Sequence, residues 1–160
     1  MKIIRLGERY FDLHAPAECA RVSPEALRGF FDLMQAWDVG DADARTLMGR
    51  LTSEEFARLR ADPQGQILDP TKLKRIAGLL SIGRELRLLY GPSVADEWVR
   101  LPNSHAMFCS VKPITYMLIG GVQAMTNVQR LLVRRRRATY ESAAEKSECI
   151  SSTPPLPPPD

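Results

Sequence analysis

The stretch "DPTKLKRIAGLLSIGRELRLLYG", residues 69–91, decides how the chain folds. Asp69 followed by Pro70 is a helix start: the carboxylate can accept a free amide of the first turn, and proline fits where no N–H is needed. Leu73, Ile76, Leu80, Leu86 and Leu89 then recur on one face, and Gly91 supplies a stop. Gly83 marks a point where a neighbouring helix could approach closely. This is the longest expected helix, and its apolar stripe needs other helices to cover it.

Working outward, the helical signals continue on both sides. Upstream, Ser23-Pro24 reads as a cap with proline at the first helical position, followed by Leu27, Phe30, Phe31 and Met34 on one face. Asp41 can open a short helix with Leu47 and Met48 inward and Gly49 at its end. Thr52 and Glu55 form a capping box for a third helix, whose buried side is Phe56 and Leu59. Downstream, Ser93 with Asp96 starts a helix holding Trp98, assigned to the core, and Pro102-Asn103 breaks it. Pro113 begins a short helix closing at Gly120-Gly121. A last helix carries Val122, Met125, Val128 and Leu132. No long run alternates with period two, so the expected fold is all-α, a small helical bundle. Residues 1–22 read as a loose arm or a strand. Residues 23–66 form a helix-turn-helix-like part, and 67–140 a second helical part. Residues 141–160, ending "SSTPPLPPPD", are expected to be a disordered Pro-rich tail.

With 44% hydrophobic residues, the 160-residue chain can bury a proper core. Charge is distributed unevenly. Residues 1–100 carry 15 basic and 15 acidic side chains, whereas 101–140 carry six basic ones and no acid. Within that basic segment, "MFCSVKPITYMLIGGVQAM" (107–125) contains a single charge, Lys112. Its proline, glycine pair and polar residues exclude a membrane span, and no leader-like segment opens the chain, so a cytoplasmic location is expected.

The residues point away from catalysis. Cys19, Cys109 and Cys149 have no zinc-like spacing, and His14 and His105 complete no ligand set with them. Cys109 and His105 are nucleophile and base residue types, but a spacing of four near a helix start is weak evidence for a catalytic pair. A loop histidine without a role is the simpler reading. Neither a metal nor an organic cofactor is expected. Two binding surfaces remain. "DARTLMGRLTSEEFARLR" (43–60) has the outline of a helix-turn-helix in which Arg50, Thr52, Ser53 and Arg58 would contact DNA. Glu54 and Glu55 would then lie near phosphates, where a simpler role is to complement the helix dipole. Arg134 to Arg137 form four consecutive cations that point all around a helix, so one surface cannot use them together.

The order of features in "ADEWVRLPNSHAMFCSVKPITYMLIGGVQAMTNVQRLLVRRRR" (95–137) resembles the C-terminal toxin-binding domain of the Xre/MbcA/ParS antitoxin family. Trp98, Pro102-Asn103, Phe108, Pro113, Met117-Leu118, Gly120-Gly121, Val128 and Leu131-Leu132 match in order, and residues 27–59 stand where the family has its Xre-like hairpin. The family loop usually carries glycines where this chain has Cys109-Ser110. The resemblance implies a non-catalytic, dimeric antitoxin. It would cover the NAD cleft of a RES-domain toxin, and the complex would bind operator DNA and repress its own promoter. The charge-poor stretch suits the centre of such an interface. The residues expected to bind toxin are Asn103, Phe108, Ser110, Lys112, Tyr116, Met117, Met125, Arg130 and Arg134. Ile114, Leu118, Val122, Val128 and Leu132 are expected to face inward. The alternative is a stand-alone helix-turn-helix transcriptional regulator.

Overall fold

The computed structural model describes residues 3–151, with side chains for 3–144. The fold is a small, mostly α-helical bundle. A β-hairpin (β1, Ile3–Leu6; β2, Arg9–Asp12) leads into α1 (Pro16–Ala36), α2 (Asp41–Met48), α3 (Ser53–Ala61), α4 (Pro70–Tyr90), α5 (Pro92–Trp98) and α6 (Pro113–Ser151). A single 3-10 turn, Ala106–Phe108, lies between α5 and α6. α4 is the central member, packed by α1, α2, α5, α6 and β1. Its Asp69 cap accepts the Lys72 amide at 2.9 Å, and Leu73, Ile76, Leu79, Ile82 and Leu86 are fully buried.

Close approach of α1 and α4 depends on two reciprocal glycines. A Cβ on Gly83 would meet Leu33 Cδ1 at 2.8 Å, and one on Gly29 would meet Leu80 Cδ1 at 3.2 Å. Each helix thus seats a leucine where the other has no side chain.

Of the two readings of the N-terminal region the strand holds for residues 3–12, while the first helix begins earlier than expected. Residues 3–12 pair as an antiparallel hairpin, Ile4 with Phe11 and Leu6 with Arg9, and bury Ile4, Leu6 and Phe11. Arg84 ties the hairpin to α4 through Glu8 at 2.5 Å. α1 starts at Pro16, not after Ser23, so Pro24 lies inside the helix. Pro24 cannot donate to the carbonyl four residues earlier. Its neighbour Ser23, fully buried, is not a cap but a bridge: Oγ donates to the Cys19 carbonyl (2.6 Å) and accepts the Leu68 amide (2.8 Å). Ser23→Ala should therefore strand a buried N–H and lower stability by about 1–3 kcal/mol in urea unfolding, whereas a surface serine replaced by alanine should not.

The tail expectation also changes. α6 continues through 141–151 as helix, and residues 152–160 lie outside the described residues. Among the described residues no helix is long and apolar enough to cross a membrane.

α6 is not continuous. Gly121 has φ 58° and ψ −141°, far from helical values, so the short helix closes at the glycine pair and restarts after it. This break resets the buried face. Ile114, Val128 and Leu132 face inward as their spacing predicts, but Leu118 is only half-buried and Val122 is exposed. Met117, Ala124 and Met125 take the inner places instead.

Candidate functional site

The segment between α5 and α6 is an ordered loop built over an aromatic plug. Ile114 donates its amide to the Val99 carbonyl (3.0 Å), and Val111 donates to Phe108 (2.8 Å), closing the loop on itself. The Asn103 side chain accepts the His105 amide at 3.0 Å. Phe108, 1% exposed, is packed edge-on by Trp98 (5.7 Å between centroids), Tyr116 (5.4 Å) and His105 (6.2 Å). Tyr116 is held in turn, because its hydroxyl accepts from the Asn127 amide group at 3.1 Å. His105 Nδ1 accepts the Met107 amide and Cys109 Sγ lies against the Ala106 carbonyl, so no hydrogen bond links His105 to Cys109.

Several expected contact residues are therefore support rather than surface. Phe108, Met117 and Met125 are buried in the monomer, and Tyr116 is partly buried. Their apolar character serves the core: Met117 lies one turn after buried Ile114 on the same helical face, and Met125 takes an inner place after the break at Gly121. Asn103 is half-buried, while Ser110, Lys112, Arg130 and Arg134 are exposed. The apolar residues that do face outward are ones sequence reasoning passed over as contacts: Leu101 (56% exposed), Val111 (39%), Ile119 (79%) and Val122 (47%). For Val111, Ile119 and Val122 the signal was the same low-charge stretch, but which side each occupies depends on the loop and the break; Leu101 lies before it. The arginine run divides as its helical positions require. Arg136 pairs with Glu85 and Arg135 donates to the Tyr90 hydroxyl, while Arg134 and Arg137 stay exposed. The bond to Glu85 holds the Arg136 guanidinium above its ordinary pKa.

At the tip of the loop, Cys109 (φ 49°) and Ser110 (φ 65°) are consecutive left-handed residues without being glycine. An L-residue there costs about 1–2 kcal/mol, and glycine recovers this less about 0.5–1 kcal/mol of chain entropy. Cys109→Gly and Ser110→Gly should each raise unfolding stability by roughly 0.5–1 kcal/mol. A loss in either case would contradict the strain.

The four expected DNA contacts do not share one face. The Thr52 hydroxyl is committed to the capping box, accepting the Glu55 amide at 3.1 Å while Glu55 accepts that of Thr52 at 2.9 Å. Ser53 accepts from Arg45 on the α2 side of α3 (2.7 Å), whereas Arg58 lines a hollow on the other flank with Glu55 and Lys72. Arg50 turns away toward the bend in α6. Acids occupy the first turns of both helices, Asp41 and Asp43 in α2 and Glu54 and Glu55 in α3. Arg60 bonds Asp41 at 2.7 and 3.1 Å and holds its carboxyl below the usual range, and hydrogen bonds from Thr52 do the same for Glu55. Depressed carboxylates contribute stability above their unfolded pKa and lose it as pH falls through the folded one. Melting temperature should therefore drop below about pH 4, and less steeply in Asp41→Asn.

No protein-family model matches the chain, and neither a curated protein nor a solved structure shows significant similarity to it.

Proposed function

We propose that this chain is the antitoxin of a toxin–antitoxin pair, neutralising a RES-type, NAD-consuming toxin by covering its active site. The observation that carries the reading is the left-handed Cys109-Ser110 tip, set on the Phe108 plug. Where the resembling family places glycines, this backbone has the conformation glycine favours. The tip carries exposed Ser110, Val111 and Lys112 on a rigid base, as a protein-binding loop requires. The 101–140 segment that carries it holds no acid and exposes Leu101, Val111, Ile119 and Val122 together with Arg130 and Arg134, a composition that suits an interface.

The stand-alone regulator is less favoured. Acids at both helix starts of the α2–α3 hairpin oppose the phosphates that such starts would otherwise attract. Co-expression with the product of the adjacent gene should give one complex on size exclusion, burying around 800 Å² per partner or more. Separate elution of the two proteins would overturn the proposal.

A further inference from the structure

Behind the α2–α3 turn lies a hollow of about 310 Å³, lined by Thr46, Arg50, Arg75 and the 118–122 bend of α6. No carboxylate lines it, and neither arginine takes part in an ion pair among the described residues. Arg75 is partly buried, yet its five donors are poorly used. Nη1 makes one 3.3 Å bond to the Leu47 carbonyl, and Nε is buried without an acceptor. Nη2 lies 4.0 Å from where a Gly121 Cβ would stand, so the guanidinium reaches the bend itself. Arg50, beside it, is exposed and held at φ 61°, a conformation in which glycine would be cheaper. A guanidinium partly withdrawn from water, as Arg75 is, normally finds an anion, and the exposed Arg50 on the same hollow adds a second cation without one.

The rim indicates which anion. Ile119 and Val122 flank the arginines and are the outward apolar residues of the bend. Nucleic-acid phosphates would bring hydration against those side chains, whereas an acidic residue on an apolar protein segment satisfies both parts of the surface. We infer that the hollow receives an Asp or Glu side chain of a protein partner, held by Arg50 and Arg75 while Ile119 and Val122 pack its neighbours. This rests on the toxin-binding reading for the partner's identity, and it extends the contact surface from the loop to the far end of the short helix.

The arginine in the left-handed turn gives a discriminating variant. Arg50→Gly removes the charge and relieves backbone strain, so it should raise the melting temperature of the free protein by about 2–4 °C. It should also weaken the complex with the adjacent gene product about tenfold, the loss of one charge-assisted contact. Arg50→Lys should restore most of the affinity. An unchanged affinity for Arg50→Gly in a complex that does form would overturn the inference while leaving the antitoxin reading intact. If no complex forms, the hollow is still tested by NMR titration of the free chain with acetyl-Leu-Glu-Leu-amide, its Gln counterpart and a 20-base-pair duplex. The Glu peptide should shift the Gly120, Gly121 and Arg75 Nε signals, and the Gln peptide should not. Equal or absent shifts from the two peptides, or tighter displacement by the duplex, would overturn it.

Discussion

Phe108→Ala should destabilise the protein by about 3–5 kcal/mol, the range for emptying a fully buried aromatic site. The ring is 1% exposed and touches Trp98, Tyr116 and His105 edge-on, so its removal opens a void shared by α5, the loop and α6. Collapse is hindered because those neighbours are fixed elsewhere, Tyr116 by Asn127 and the loop by the Ile114–Val99 bond. Chemical unfolding with the slope held constant reads the loss. Phe108→Leu, which keeps most of the volume, should cost less than half as much. A change below about 1 kcal/mol in Phe108→Ala would mean that the loop is not built on this plug.

The second large effect leaves the fold untouched. Val111 and Ile119 are exposed, and neither belongs to the buried core. Replacing both by aspartate should shift stability by no more than about 0.5 kcal/mol each. At an interface centre, however, two desolvated carboxylates should weaken toxin capture by about 100-fold or more. The opposite pattern, lost folding with retained capture, would assign these side chains to the wrong category.

Much of the architecture was legible because its signals are local. The Thr52–Glu55 capping box, the Asp69-Pro70 start, the Gly91 stop and the glycine contact at Gly83 each depend on a few adjacent residues, and each is present. Where two local signals competed, the sequence misled. Ser23-Pro24 imitates a helix start, but Ala15-Pro16 provides an earlier one, and the Ser23 hydroxyl has a partner 45 residues away that no local rule reveals. The choice between strand and loose arm in residues 1–22 stayed open because four-residue strands hold too few alternations to show a period.

The candidate site was legible as a region and not as a surface. Low charge in 107–125 marks both core and interface, and only tertiary geometry separates them. A positive φ at Gly121 resets the helical phase, so counting from Ile114 through Leu118 to Val122 places Val122 inside although it faces out. Met125 errs in the opposite direction for the same reason, whereas Met117 is inside because it shares the face of Ile114 three residues earlier, before the break. Arg50 moved for another cause: the turn's left-handed backbone directs it to the α6 bend instead of to the α3 face.

The most direct test is the rate of NAD consumption by the purified product of the adjacent gene, measured with increasing amounts of this chain. Wild-type protein should suppress turnover stoichiometrically, and Val111→Asp/Ile119→Asp, folded to the same melting temperature, should not. Undiminished NAD turnover with the wild-type chain, or equal inhibition by the double variant, would contradict the account.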